Sequence, residues 1–534
     1  MSRPDTRSAW RAALALFPLA LACGGASTPP PEIPPIDEEV EVEGPEARPV
    51  EETVRRMDLG VPQLIEMRSE SPVVTIRVAF DAGSAEDPRG QEGLTRLAAK
   101  LMVEGGAGER SYRELTEALY PMAGAIDAAT GRDQTVFVGR VHRDHLEEFY
   151  ALFRDVLLAP RFEASDFERL QARAKSALTL ELRGNDDEAL GKAALQAMLY
   201  EGHPYAHPPL GTESGLEATT REAAAAQAGR VFCAGRAIVG VAGGYPEGFA
   251  ARVLEDVAER DGEQCVGRIV LPEPEPRPTR VMLVEKDAAS VAISMGMPIG
   301  VTRDHPDYAA LTLAAAYLGQ HRTFAGRLMQ KMRGDRGLNY GDYAYVEHFD
   351  QEGWTRFPAP NRARRQQYFS IWIRPVQREQ AHFALRMAVR ELELFRERGL
   401  SAEDFERIRT FADRYYALYL QTESRRLGFA IDDRLYDTVD PWLETLRSRW
   451  AELDVAEVNA AIRRHIEPSR LQVAVVTPDA EAFADTLASE APSPIRYRAE
   501  VEEAVREEDR EVVEYEVGIP RSRMRVLPVT NLFE

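Results

Sequence analysis

The sequence predicts an α+β protein built from two similar domains in tandem, and three observations carry that prediction. The first is a repeated opening: Ala164-Ser165-Asp166-Phe167-Glu168-Arg169 is answered by Ala402-Glu403-Asp404-Phe405-Glu406-Arg407, each at the head of a helical pattern. The second is a repeated strand. Val74, Ile76, Val78 and Phe80 recur at every other position, as do Val291, Ile293, Met295 and Met297. Period two marks a strand with one buried face. The third is Pro272–Pro278 between the halves, Pro-Glu-Pro-Glu-Pro-Arg-Pro. Alternating prolines deny both helix and interior strand, so this stretch is an extended linker. The repeat is too long for a solenoid, whose units recur every roughly 20–50 residues.

Taken in order, residues 1–23 read as a signal peptide. Arg3, Arg7 and Arg11 form a cationic flank before the apolar run Ala12–Ala22, which is too short to span a bilayer. Leu19-Ala20-Leu21-Ala22-Cys23 resembles a bacterial lipobox, making Cys23 the candidate lipidation site. Residues 24–52 are acidic and rich in Pro and Gly, as a flexible tether is. Residues 53–271 form the first domain, with a strand at Val73–Gly83 and a helix at Gly93–Val103. Residues 272–278 are the linker. Residues 279–492 form the second domain, with a strand at Ser290–Gly300 and a helix expected over Tyr308–Met332. Residues 493–534 are a tail whose apolar end suggests docking, on the body or on a partner.

The chain holds 66 Lys+Arg against 87 Asp+Glu, a formal charge of −21. That balance argues against sequence-independent nucleic-acid binding, which needs a cationic surface. Acidic runs at Asp37–Glu52 and Glu500–Glu516 read as solvated linker and tail. Cys233 and Cys265 are the cysteines beyond the signal. They flank a strand-like Ala237–Val241 and a helix-like Tyr245–Asp261, an arrangement that brings them to one side of a layer. A disulfide and two buried thiols are both compatible with this.

Several segments together resemble the insulinase-like peptidases of family M16. Gly93-Leu94-Thr95-Arg96-Leu97-Ala98-Ala99-Lys100 follows the first strand where active members carry His-x-x-Glu-His. His203-Pro204-Tyr205, Leu210-Gly211-Thr212 and the strand Ala237–Gly243 match further pieces. In the second half His305-Pro306-Asp307-Tyr308 and the stretch from Arg327 to Tyr340 do so. The resemblance implies two homologous M16-type domains related by duplication. It also implies a loss. A zinc site needs two His one helical turn apart with a Glu between them as general base. Those places hold Arg96, Ala99 and Lys100, two cations and a methyl. Glu181 lies where the family's third ligand is expected, and one carboxylate makes no catalytic zinc site. His142-x-x-His145-x-x-Glu148 reads as a solvated helix start rather than a replacement.

The second half keeps an Arg and a Tyr at the spacing by which active members hold the substrate backbone: Arg333 and Tyr340. Glycines at 334 and 337 end a helix there, and Asn339–Glu347 reads as the start of a strand. Arg336 is expected to face solvent. In the family, the edge strand of the hairpin Gly124–Gly139, here Ile126–Thr130, accepts an extended peptide. The expectation is a non-catalytic, substrate-binding or regulatory subunit with no metal of its own. Its partners would be a sister chain bearing intact His-x-x-Glu-His and zinc, a peptide substrate, and an outer membrane reached through the lipid anchor. The alternative is a purely structural member, comparable to the core proteins of respiratory complexes.

Overall fold

The computed structural model describes residues 55–350, 358–438, 440–497 and 500–534. Cys23, the signal and the tether lie outside the described residues. The first half runs β1 (Gln63–Arg68), β2 (Val73–Phe80), α1 (Leu94–Glu104), α2 (Tyr112–Leu119), β3 (Ala125–Thr130), β4 (Thr135–His142), α3 (Leu146–Leu158), α4 (Ala164–Ser176), α5 (Asp187–Leu199), α6 (Glu213–Ala218), α7 (Arg221–Val231), β5 (Ala237–Gly243) and α8 (Phe249–Ala258). The second runs β6 (Arg280–Glu285), β7 (Val291–Ile299), α9 (Tyr308–Gly319), β8 (Asp342–Tyr345), β9 (Gln367–Val376), α10 (Ala381–Arg398), α11 (Ala402–Tyr415), α12 (Glu423–Leu435), α13 (Trp442–Glu452), α14 (Val455–His465), β10 (Gln472–Thr477) and α15 (Ala480–Ala488). The tail adds α16 (Glu503–Val513) and β11 (Met524–Pro528).

The duplication is plain in the sheets. The first has the order β1-β5-β2-β4-β3, and the second repeats it as β6-β10-β7-β9-β8, with β11 added beyond β6. Corresponding pairs even share their sense: β1 with β5 and β6 with β10 are parallel, the others antiparallel. The alternating residues read from sequence point as expected. Val74, Ile76, Val78 and Phe80 pack against Leu97, Leu101, Phe149 and Val253 of their own half.

The opposite face of each sheet is covered by the other half. Leu427, Ile431 and Leu435 of α12 lie on Ala79, Val136, Ile238 and Ala242 of the first sheet. Reciprocally, Leu190, Ala194 and Leu195 of α5 lie on Ala292, Ala474 and Val476 of the second. At about 25 cal/mol per Å² of apolar surface removed from water, two such helix–sheet contacts bind the halves into one body.

Two expectations are corrected and a third is narrowed. The helix expected over Tyr308–Met332 stops at Gly319 and resumes as a π-helical turn over Met329–Gly334. Between them the chain doubles back so closely that a Cβ on Gly326 would come within 2.9 Å of Gly319 Cα. The acidic run Glu500–Glu516 is not simply a solvated tail, because it forms α16 and its Glu508 and Asp509 are held by cations of the body. The chain end docks on the body. β11 runs parallel to β6, Leu532 and Phe533 are buried, and Phe533 O accepts the Glu213 N–H at 2.9 Å. Among the described residues no helix is long and apolar enough to cross a membrane.

Candidate functional site

Helix α1 starts where the carboxylate of buried Asp87 accepts the backbone N–H groups of Gly93 (2.8 Å) and Thr95 (2.7 Å). This satisfies donors that a helix start leaves open. The helix buries Leu97, Ala98, Leu101 and Met102 and packs on β3, α4 and α7. Ala99 is buried with them, so a methyl group fills the place of the general base. Arg96 and Lys100, one turn apart, share the half-buried face next to β3.

Lys100 Nζ pairs with Asp127 Oδ1 on β3 at 2.7 Å and with Glu104 at 3.5 Å. Glu104 also takes Arg173 of α4 at 2.9 Å. Burial pushes the Arg96 guanidinium below its ordinary range, while the nearby carboxylates of Glu104, Glu181 and Asp127 oppose that shift. Glu181 therefore stands near Arg96, as the sequence register places it. The set does not fit zinc. A dication here would meet a guanidinium and an ammonium where it needs two imidazoles, and both carry charge of its own sign.

Other histidines are engaged elsewhere. His142 Nδ1 accepts the Asp144 N–H at 3.3 Å at the entry to α3. His203 Nδ1 accepts the Tyr205 N–H, and Nε2 lies 3.0 Å from Pro272 O in the linker; burial lowers its pKa to about 4. His305, Asp307 and His465 come together at the base of α9 and the end of α14. There Asp307 already holds Arg464 through both oxygens at 2.9 Å and His465 Nε2 at 2.7 Å, so its charge is met by side chains.

In the second half the structure brings Arg333 and Tyr340 together. Gly337 takes φ +62, a left-handed value that a side chain would strain. Its N–H reaches Arg333 O at 3.0 Å, turning the chain back. Arg333 Nη1 then donates to Tyr340 O at 2.9 Å. Its guanidinium lies 4.7 Å from the Phe324 ring centre and 5.5 Å from that of Tyr340. Both rings are open to water, 66% and 75% exposed. Asn339 pins the far side of the turn, donating to Asp342 Oδ1 (2.7 Å) and Arg374 O (3.1 Å).

Arg336 reverses the expectation of a solvent-facing side chain. It is fully buried, donating from Nε to Asp509 and from Nη2 to Glu508 of α16, each at 2.8 Å. Nη1 caps Lys331 O at 2.8 Å, and Lys331 itself pairs with Glu508 at 2.9 Å. Sequence reasoning missed this brace because its acidic half lies in the tail; the one available signal was the acidic run itself. Cys233 and Cys265 are joined in a disulfide with Cα atoms 5.9 Å apart, tying the end of α7 to the segment after α8.

Two family profiles match the chain. One is described as "Insulinase (Peptidase family M16)" and covers residues 64–213; the other, "Peptidase M16 inactive domain", covers 231–411. A Bacillus subtilis protein named an uncharacterized zinc protease, YmxG, is 23% identical over 297 residues, which is 55% of this chain and 70% of that one. A Helicobacter pylori protein named a non-peptidase homolog, also YmxG, is 21% identical over 422 residues, 78% of this chain and 92% of its own length. The solved peptidase M16 inactive domain from Pseudomonas fluorescens superposes with a TM-score of 0.66 at 21% identity, covering 80% of this chain and 98% of that structure. At such identity the superposition speaks for the fold alone.

Proposed function

The chain belongs to the insulinase family of peptidases, M16, and from that premise we propose that it is a non-catalytic, substrate-binding subunit of a two-chain zinc metallopeptidase in the bacterial envelope. The observation that carries this reading is the contrast within one chain. Arg96, Ala99 and Lys100 replace the metal set, while half-buried Arg333 pairs with Tyr340 on a braced turn and the Tyr340 ring stands exposed. A guanidinium fork and a phenol are suited to hold a peptide carbonyl, or the oxyanion that forms from it. The metal and the general base would come from a sister chain.

Export as a lipoprotein anchored through Cys23, facing the periplasm from the outer membrane, is part of the proposal. The Cys233–Cys265 disulfide supports an oxidising compartment. Palmitate labelling that is lost in Cys23→Ala is the expected result.

The main test expresses this chain with an M16 chain bearing intact His-x-x-Glu-His and assays peptide cleavage. Activity is expected only from the pair. Arg333→Ala or Tyr340→Ala should lower kcat/KM by roughly 10²-fold, the usual effect of removing one oxyanion donor. Full activity of the sister chain alone would sink the proposal. A stable complex whose activity ignores both substitutions would favour the purely structural role.

A further inference from the structure

We infer that Arg96, with Lys100 beside it, is a carboxylate-reading site that takes an acidic side chain from an extended peptide laid along the edge of β3. This rests on the substrate-binding reading above and moves part of it into the half that lost its metal.

Four cations line the neighbourhood, and three are paired. Lys100 holds Asp127 and Glu104, Arg173 holds Glu104, and Arg169 holds Asp166 at 2.8 Å. Arg96 makes no hydrogen bond or ion pair among the described residues, although it is half-buried and all of its donors are charged. Of the carboxylates that reach it electrostatically, Glu104 and Asp127 are spent on other cations, and exposed Glu181 makes no hydrogen bond or ion pair with it. A half-buried guanidinium with open donors can take an acceptor at little cost, and a carboxylate meets it in two parallel bonds.

The approach is open. Among the described residues β3 pairs with β4 on one side and with no strand on the other, so its outer backbone groups can receive an added strand. An anion is already accepted at this spot. Asp127 Oδ1 takes both the Ala128 N–H and Lys100 Nζ at 2.7 Å, laying a carboxylate across the strand edge. A peptide carboxylate arriving beside it would meet Arg96. The pair of cations that excludes a dication thus selects for a charge of the opposite sign.

The test needs only the full chain, without any sister chain. Fluorescence polarisation would compare a short labelled peptide of alternating Val and Thr with one central Asp against its Asn counterpart. The Asp peptide is expected to bind about tenfold more tightly. Arg96→Gln should erase that preference and leave the Asn peptide unaffected, and Arg96→Lys should restore part of it. Asp127→Ala, at an exposed position, should tighten the Asp peptide further by freeing Lys100 and the Ala128 N–H. Equal binding of the two peptides, no binding of either up to about 1 mM, a preference that survives Arg96→Gln, or no gain in Asp127→Ala would overturn the inference. Any of these would leave the two-chain activity assay, which reads Arg333 and Tyr340, to be judged on its own.

Discussion

In the first half, the helix that follows the second strand carries Arg96 and Lys100 into a group of carboxylates, and its active position is a buried methyl. In the second half, the cation of interest stacks between two exposed rings on a turn held from behind by Arg336 and α16. Both halves use the same five-strand order. The difference shows that a sheet plan fixes where side chains can stand and leaves open what they do. One half spent Lys100 on internal ion pairs and left Arg96 open. The other kept donors outside and spent a second arginine, three residues on, to hold them there.

Substitutions can break or sharpen that comparison. The largest expected effect is at the brace. Arg336→Ala would leave Glu508 and Asp509 facing a buried gap, and removing one partner of a buried pair costs about 4 kcal/mol. Urea denaturation would read it; a loss below about 1 kcal/mol would mean that α16 does not hold the turn. Next, Leu427→Ala on α12 should cost about 3 kcal/mol, since the side chain is buried against the first sheet from the opposite half. Leu190→Ala on α5 tests the reciprocal contact, and the two losses should be similar. A small effect at only one of them would show that the exchange of helices is unequal.

Reducing the Cys233–Cys265 bond should cost about 2 kcal/mol, confined to the first half, with hydrogen exchange rising around α7 and the start of β5. Acid should act through His203. Burial lowers its pKa to about 4 from an ordinary 6.5. Below pH 6.5 the unfolded chain takes up a proton that the folded chain refuses. Stability then falls as pH drops from 6.5 toward 4, by at most about 1.4 kcal/mol per pH unit from this group. His203→Gln should make that part of the profile shallower, buried His348 and His382 keeping their share of it; an unchanged slope would assign the acid sensitivity elsewhere. The smallest effects belong to the two half-buried cations at the candidate sites. Arg333→Ala and Lys100→Ala should each shift stability by no more than about 0.5 kcal/mol, so any loss of function there reads as binding rather than unfolding.

Much of this arrangement was legible in the amino-acid order, because period-two strands and repeated helix openings are local patterns. The strands at Val73 and Val291, the helix starts at Ala164 and Ala402, and the turn at Gly337 all follow from neighbours within a few residues. The convergence of Arg333 and Tyr340 was legible for the same reason. What escaped depends on distance along the chain. Arg336 looked like a surface residue because its partners lie 172 and 173 positions on. The break after Gly319 escaped because an apolar run such as Tyr308–Gly319 carries no periodic signal of its own end. The exchange of α5 and α12 leaves no local mark, since a helix stripe shows that something is covered and not what.

That exchange has a consequence for how the first half can change. With α5 serving as the roof over the neighbouring sheet, trimming the first half away would strip its companion bare. Substitution of the zinc-motif residues does not release α5 from its mechanical duty. A domain can therefore exchange the residues of a zinc motif and still be indispensable as architecture.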